Sequence, residues 1–177
     1  MPGNTPILNT QINTQIRILG CGNPLMGNDG VGLKVIEALK NALKKTELKG
    51  LEGLVEIVDA GTCGLDMLNL LDGTRKVIII DAVLAGGLPG SIYRFSGQEI
   101  LENSRSSGLV SIHDIGISEV LKIGEKVQNL PEILIYGIEI GEPATEFSLG
   151  LSPEVSMAVD ETMKLILEEI SRFNGKI

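Results

Sequence analysis

The chain has no tryptophan, a single histidine (His113), two cysteines (Cys21 and Cys63) and only 3% aromatic residues. Each shortage removes a class of function. With so few aromatic side chains there is no stacking platform for single-stranded bases. The net charge of −8 repels a phosphate backbone, so no nucleic-acid partner is expected. Two cysteines without paired spacing, and no secretory leader, point to a reducing, cytoplasmic setting with inert buried thiols. A cysteine nucleophile would need His113 beside it. The apolar run Val77–Ile80 is far too short to cross a bilayer, so no membrane insertion is expected. H-E-x-x-H, G-x-S-x-G and G-K-[ST] are all missing, which excludes zincin, α/β-hydrolase and P-loop chemistry.

What is present is an ordinary globular composition, 43% apolar and 21% charged over 177 residues, enough for one domain with a sizeable core. Residues 1–15 are polar and read as a flexible N-terminal extension, leaving 16–177 as a single α/β domain. Strands are expected at 16–19, 54–58, 76–80, 91–95 and 133–140. Helices are expected at 31–45, 65–71, 115–127 and from Ser152-Pro153 onward. Residues 76–80 form a continuous β-branched stretch, the pattern of a strand buried on both faces and ending in Asp81. Helix 115–127 should bury Ile115, Val120, Leu121 and Ile123, and residues 103–111 should form a loop that delivers His113. Strands alternating with helices predict a three-layer α/β/α sandwich with a mostly parallel, twisted sheet, of phosphorylase/hydrolase-like type.

The stretch I-L-G-C-G-N-P-L-M-G-N-D-G-V-G, residues 18–32, links the first strand to the first helix. Leu25 stands where a dinucleotide fingerprint needs its third glycine, and Asp29 would repel phosphate. The carboxylate suits a metal or a proton transfer, but on this loop alone a helix N-cap is the stronger reading. Three strands run into acids at their carboxyl ends: Asp29, Asp59 and Asp81. As parallel neighbours they would crowd one edge, and with His113 they form a plausible shell for a borderline divalent metal. Asp59 could equally close its own turn.

The ordered motifs G-N-P-L-M-G-N-D-G-V-G, D-A-G-T, V-I-I-I-D-A, S-I-H-D-I-G and G-L-S-P-E-V resemble those of the hydrogenase maturation endopeptidases, over about residues 17–173. That resemblance implies an aspartyl-type endopeptidase that trims the C-terminal extension of a nickel-iron hydrogenase large-subunit precursor after nickel insertion. It implies Asp29, Asp81 and His113 as catalytic and metal-contacting residues, expected at a cleft rim, with the turn at Asp59 shaping the cleft. The metal so implied is nickel carried by the substrate precursor, for which Zn or Cd would substitute in vitro. The partner so implied is the large-subunit precursor, and the protein itself is expected to be a monomer. Two positions depart from the family pattern: Asn28, where many relatives carry a second acid, and Asp114, in place of a common glutamine. A nickel-dependent docking or sensing module without protease activity would use the same three ligands. A phosphorylase-like enzyme would need a basic phosphate pocket, and only Lys34, Arg75 and Lys76 lie near the motif loops.

Overall fold

The computed structural model describes residues 14–45, 53–62, 64–102, 110–111 and 116–174. Strand β1 (Ile16–Cys21) leads through a 3-10 turn (Gly27–Gly30) into helix α1 (Val31–Lys45). Then follow β2 (Val55–Gly61), α2 (Met67–Leu71), β3 (Lys76–Leu84), β4 (Ile92–Ser96) and α3 (Gly97–Glu102). The chain closes with β5 (Val110–Ser111), α4 (Ile117–Val127), β6 (Glu132–Glu139) and α5 (Pro153–Asn174). The sheet order is β2-β1-β3-β6-β4, with β1, β2, β3 and β6 parallel and β4 antiparallel at one edge.

Side-chain alternation along the strands builds two cores, because both faces of a parallel sheet are covered. Ile16, Ile18, Ile78, Ile80, Tyr136 and Ile138 pack with α1 and α5. Leu19, Val77, Ile79, Ile133 and Ile135 pack with α2, α3 and α4. The three-layer sandwich expected from the sequence is therefore the observed architecture.

Three local expectations are corrected. Strand β3 does not end at Asp81; it continues to Leu84, because its backbone stays paired with β6 through Val83 and Glu139. The short helix α3 was absent from the sequence reading. It opens on a capping box: Ser96 N donates to Glu99 Oε2 at 2.6 Å, and Glu99 N donates to Ser96 Oγ at 3.2 Å. In α4 the buried stripe is Ile117, Val120, Leu121 and Gly124, and Ile123 is exposed. That stripe follows the i, i+3, i+4, i+7 spacing, and position 123 falls off it. Ile115 lies outside the described residues.

The helix–sheet contact is tightest where α1 begins. A Cβ at Gly32 would collide with the carbonyl oxygen of Cys21 and sit 2.5 Å from that of Ile80. At the other end of β3, Lys76 is buried and bonds Glu169 of α5 at 3.2 Å and Glu132 at 2.9 Å. Arg94 also reaches Glu169, at 2.9 Å. Burial pushes the Glu169 carboxyl upward, but hydrogen bonds and charge attraction from Arg94 and Lys76 outweigh it and hold the group below the usual glutamate range.

Two predictions follow from these contacts. Gly32→Ala should cost about 3 kcal/mol or more, since backbone on two strands must move. Gly73→Ala, with φ +73° and open space around it, should cost only about 1 kcal/mol. Urea denaturation of the two variants separates them. Glu169→Gln should lower stability at pH 7 by roughly 2 kcal/mol, less than an orphaned buried charge would cost, because Lys76 keeps Glu132. A depressed folded pKa gives stability that is full above the unfolded value of about 4.3 and is lost as pH falls through the folded value. The gap between parent and variant should therefore close below about pH 4 in a pH series of melts.

Candidate active site

The site is built on the carboxyl ends of β1 and β3. After Cys21 the chain turns at Gly22, whose φ is +128°. A Cβ there would collide with the carbonyl oxygen of Asp29, so the loop from Gly22 to Gly30 can close only with glycine at that position. Closure buries Asp29 to 7% exposure, and its Oδ2 accepts the Asn23 N–H at 3.0 Å. The partner of that bond is an amide of the preceding loop, so the carboxylate braces the loop that carries it.

Gly20 pairs with Ile80 on β3 and with Asp59 on β2. Asp81 thus follows directly after the residue level with Gly20, and α1 seats Gly32 on the carbonyls of Cys21 and Ile80. Asp29, three residues before Gly32, and Asp81, one after Ile80, flank this corner of the sheet. Asp81 is 1% exposed and its Oδ1 accepts the Ala82 N–H at 2.9 Å. The two acids are buried rather than set on an open rim: loop closure covers Asp29, and at Asp81 the strand continues to Leu84 and pairs with β5. Asp59 lies across β1 from Asp81, about two strand spacings or ~10 Å away. It is exposed, and its Oδ1 accepts the Gly61 N–H at 2.9 Å, which makes it a turn residue.

His113, Asp114 and Cys63 lie outside the described residues, and Cys21 is buried. Among the described residues no three His, Cys, Asp or Glu side chains are placed to hold a metal ion. The two aspartates supply hard oxygen donors and a proton acceptor for a water.

Two further polar side chains shape the site. Asn28 Oδ1 accepts the Ser152 N–H at 2.7 Å, and its Nδ2 donates to the Ile140 carbonyl at 3.3 Å. It therefore ties the first loop to the end of β6 and the start of α5. Gly27 N donates to Ser148 O at 2.7 Å, and Ser148 N donates to Leu25 O at 3.0 Å. Beside this seam lies a cavity of about 350 Å³ lined by Asn28, Glu142, Ser148, Leu149 and Leu151, among others. Glu139 is 1% exposed and accepts the N–H groups of Ala85, Gly87 and Gly141 at 2.7, 3.2 and 3.1 Å. The sequence reading did not single it out; an acid closing the apolar run 133–138 was the available signal. A larger cavity, about 800 Å³ between α3, α4 and the start of β6, contains none of these acids.

The basic residues do not converge here. Lys34 pairs with Glu37, Arg75 bonds Gln15 and lies over Phe173, and Lys76 is held by Glu132 and Glu169 at the opposite end of β3. The three candidate cations thus make contacts at separate places and form no shared phosphate pocket among the described residues.

Residues 33–169 match the family described as hydrogenase maturation protease. The protein FrxA of Pyrococcus furiosus is 36% identical over 149 residues, covering 82% of this chain and 97% of that protein. The [NiFe] hydrogenase maturation protease HybD of Thermococcus kodakarensis superposes with a TM-score of 0.69 at 28% identity, over 88% of this chain and 99% of that one. An endopeptidase from Escherichia coli superposes with a TM-score of 0.73 at 25% identity, over 91% and 94% of the two chains.

Asn28→Ala removes an acceptor and a donor at once and should cost about 1–2 kcal/mol. Amide exchange gives the local readout: the Ser152 N–H should speed up far more than amides in the middle of α5. Uniform acceleration along α5 would refute the tie.

Proposed function

The chain belongs to the hydrogenase maturation protease family, and we propose that it removes the C-terminal extension of a nickel-iron hydrogenase large-subunit precursor after nickel insertion, recognising the bound nickel. It is a peptidase. The observation that carries the proposal is the pair of buried carboxylates, Asp29 and Asp81, at one corner of the sheet edge beside the seam to residues 148–152. His113 follows Ser111 by two residues, and Ser111 pairs with Val83 of β3.

In this reading Asp29, Asp81 and His113 contact the nickel that arrives with the precursor. Two carboxylates and one imidazole leave such a cation short of a closed shell, so the substrate's own ligands complete it. Zn or Cd would bind the same trio weakly and reversibly in vitro. One carboxylate takes a proton from a water as its oxygen attacks the scissile carbonyl, and the adjacent cation steadies the oxyanion. Collapse expels the amine of the tail, which takes up a proton, and leaves a mature C-terminal carboxylate. No helix among the described residues is long and apolar enough to cross a membrane. We place the reaction in the cytoplasm, with the protein acting as a monomer.

Chelator-treated protein should cleave nickel-loaded precursor and leave metal-free precursor intact, as read by product mass. Asp81→Asn should cut turnover by about 100-fold or more while keeping the parent melting curve. Equal processing of metal-free precursor would remove nickel recognition. Parent-rate maturation by Asp81→Asn would remove the site assignment.

A further inference from the structure

We propose that the outward edge of the segment around Ser148 binds the precursor's C-terminal tail as an added extended strand. The inference rests on the protease reading above and specifies how the tail is held. On its inner side this segment is fixed, through Ser148 to Leu25 and Gly27 and through Ser152 to Asn28. Its outer side is left open. Neither the N–H nor the C=O of Phe147 or Leu149 has a hydrogen-bond partner among the described residues. An ordered, unpaired backbone edge is a template for an extended chain.

The side chains match that use. Phe147 is 84% exposed and Leu149 is 83% exposed, and they flank the bonded Ser148. Two residues apart on an extended segment, they project to the same side. Leu25, whose carbonyl holds Ser148, is also exposed. Folding gains nothing from holding large apolar groups in water, so an apolar ligand accounts for them better than stability does. The inner side of the segment is bonded to the loop that carries Asp29, so a strand laid on the outer edge lies about two strand spacings, ~10 Å, from Leu25–Gly27. Glu142 and Glu146 are exposed on the same segment of a chain with net charge −8. The occupant that fits is an extended peptide with apolar side chains facing Phe147 and Leu149 and basic residues facing the two glutamates.

The test compares the parent protein with the double variant Phe147→Ser, Leu149→Ser, on nickel-loaded precursor with and without its C-terminal tail. Both positions are exposed, so the variant should melt with the parent. For intact precursor we expect KM, or Kd in a catalytically silent Asp81→Asn background, to rise about tenfold or more, with kcat changed less than twofold. For tail-less precursor the substitutions should change Kd by less than twofold. The Phe147 and Leu149 amides should exchange fast in the free protein and slow when intact precursor binds. An unchanged KM, equal weakening with both precursors, or no protection of the two amides would each overturn the inference. Failure of the parent itself to cleave would instead overturn the protease reading, which keeps the two distinguishable.

Discussion

The site depends on one steric constraint: the first turn of α1 lies directly on the carbonyl ends of β1 and β3. Gly32 makes this possible, because its α-hydrogens face the oxygens of Cys21 and Ile80 where any Cβ would collide. Without that contact the helix would lift from the sheet and the loop from Gly22 to Gly30 would have to lengthen. Asp29 would then leave the corner it shares with Asp81. The glycines in G-N-D-G-V-G therefore serve backbone approach to a sheet rather than to a phosphate. A carboxylate takes the place in the crevice that a phosphate occupies in dinucleotide-binding loops of similar appearance.

The interior holds its acids in different ways. Glu169, at the amino ends of the strands, is matched to Lys76 and Arg94, and cation pairing keeps it ionised. Glu139, at the carboxyl ends, is matched to three backbone amides and fixes the turn after β3. Asp29 and Asp81 are braced by amides of Asn23 and Ala82. Lys34, Arg75 and Lys76, the basic residues nearest the motif loops in sequence, are all held by other partners. Lys76 sits at the amino end of β3, away from the corner where a cationic ligand is proposed to enter, and Lys34, in the first turn of α1, is paired with Glu37.

Most of the architecture was legible because it is written in local periodicity. Helix α1 runs over Val31–Lys45 as its apolar spacing requires, and the strands alternate between the two cores. The misreadings have physical causes. Asp81 interrupts an apolar run, so the sequence seemed to end the strand there, yet backbone pairing with β6 ignores side-chain polarity and carries β3 on to Leu84. Helix α3 is only 6 residues long and shows itself mainly through the Ser96–Glu99 capping box. The roles of Asn28 could not be read locally, since its partners Ile140 and Ser152 are 112 and 124 residues away in the chain. The placement of Asp29 and Asp81 at one corner follows from strand order, which periodicity does not encode.

Position 28 shows how a departure from a family pattern can be read through geometry. The family resemblance leads one to expect an acid there, and asparagine carries no charge. In this chain the amide accepts from Ser152 and donates to Ile140. A carboxylate could keep the first bond but would set an oxygen against the Ile140 carbonyl and lose the second. Asparagine thus suits a tie between two chain segments, and in that role it fixes the loop bearing Asp29 against the residues that lead into α5. The buried acids of this corner are then Asp29 and Asp81, and Asn28 gives the loop that carries Asp29 a fixed position rather than a further charge.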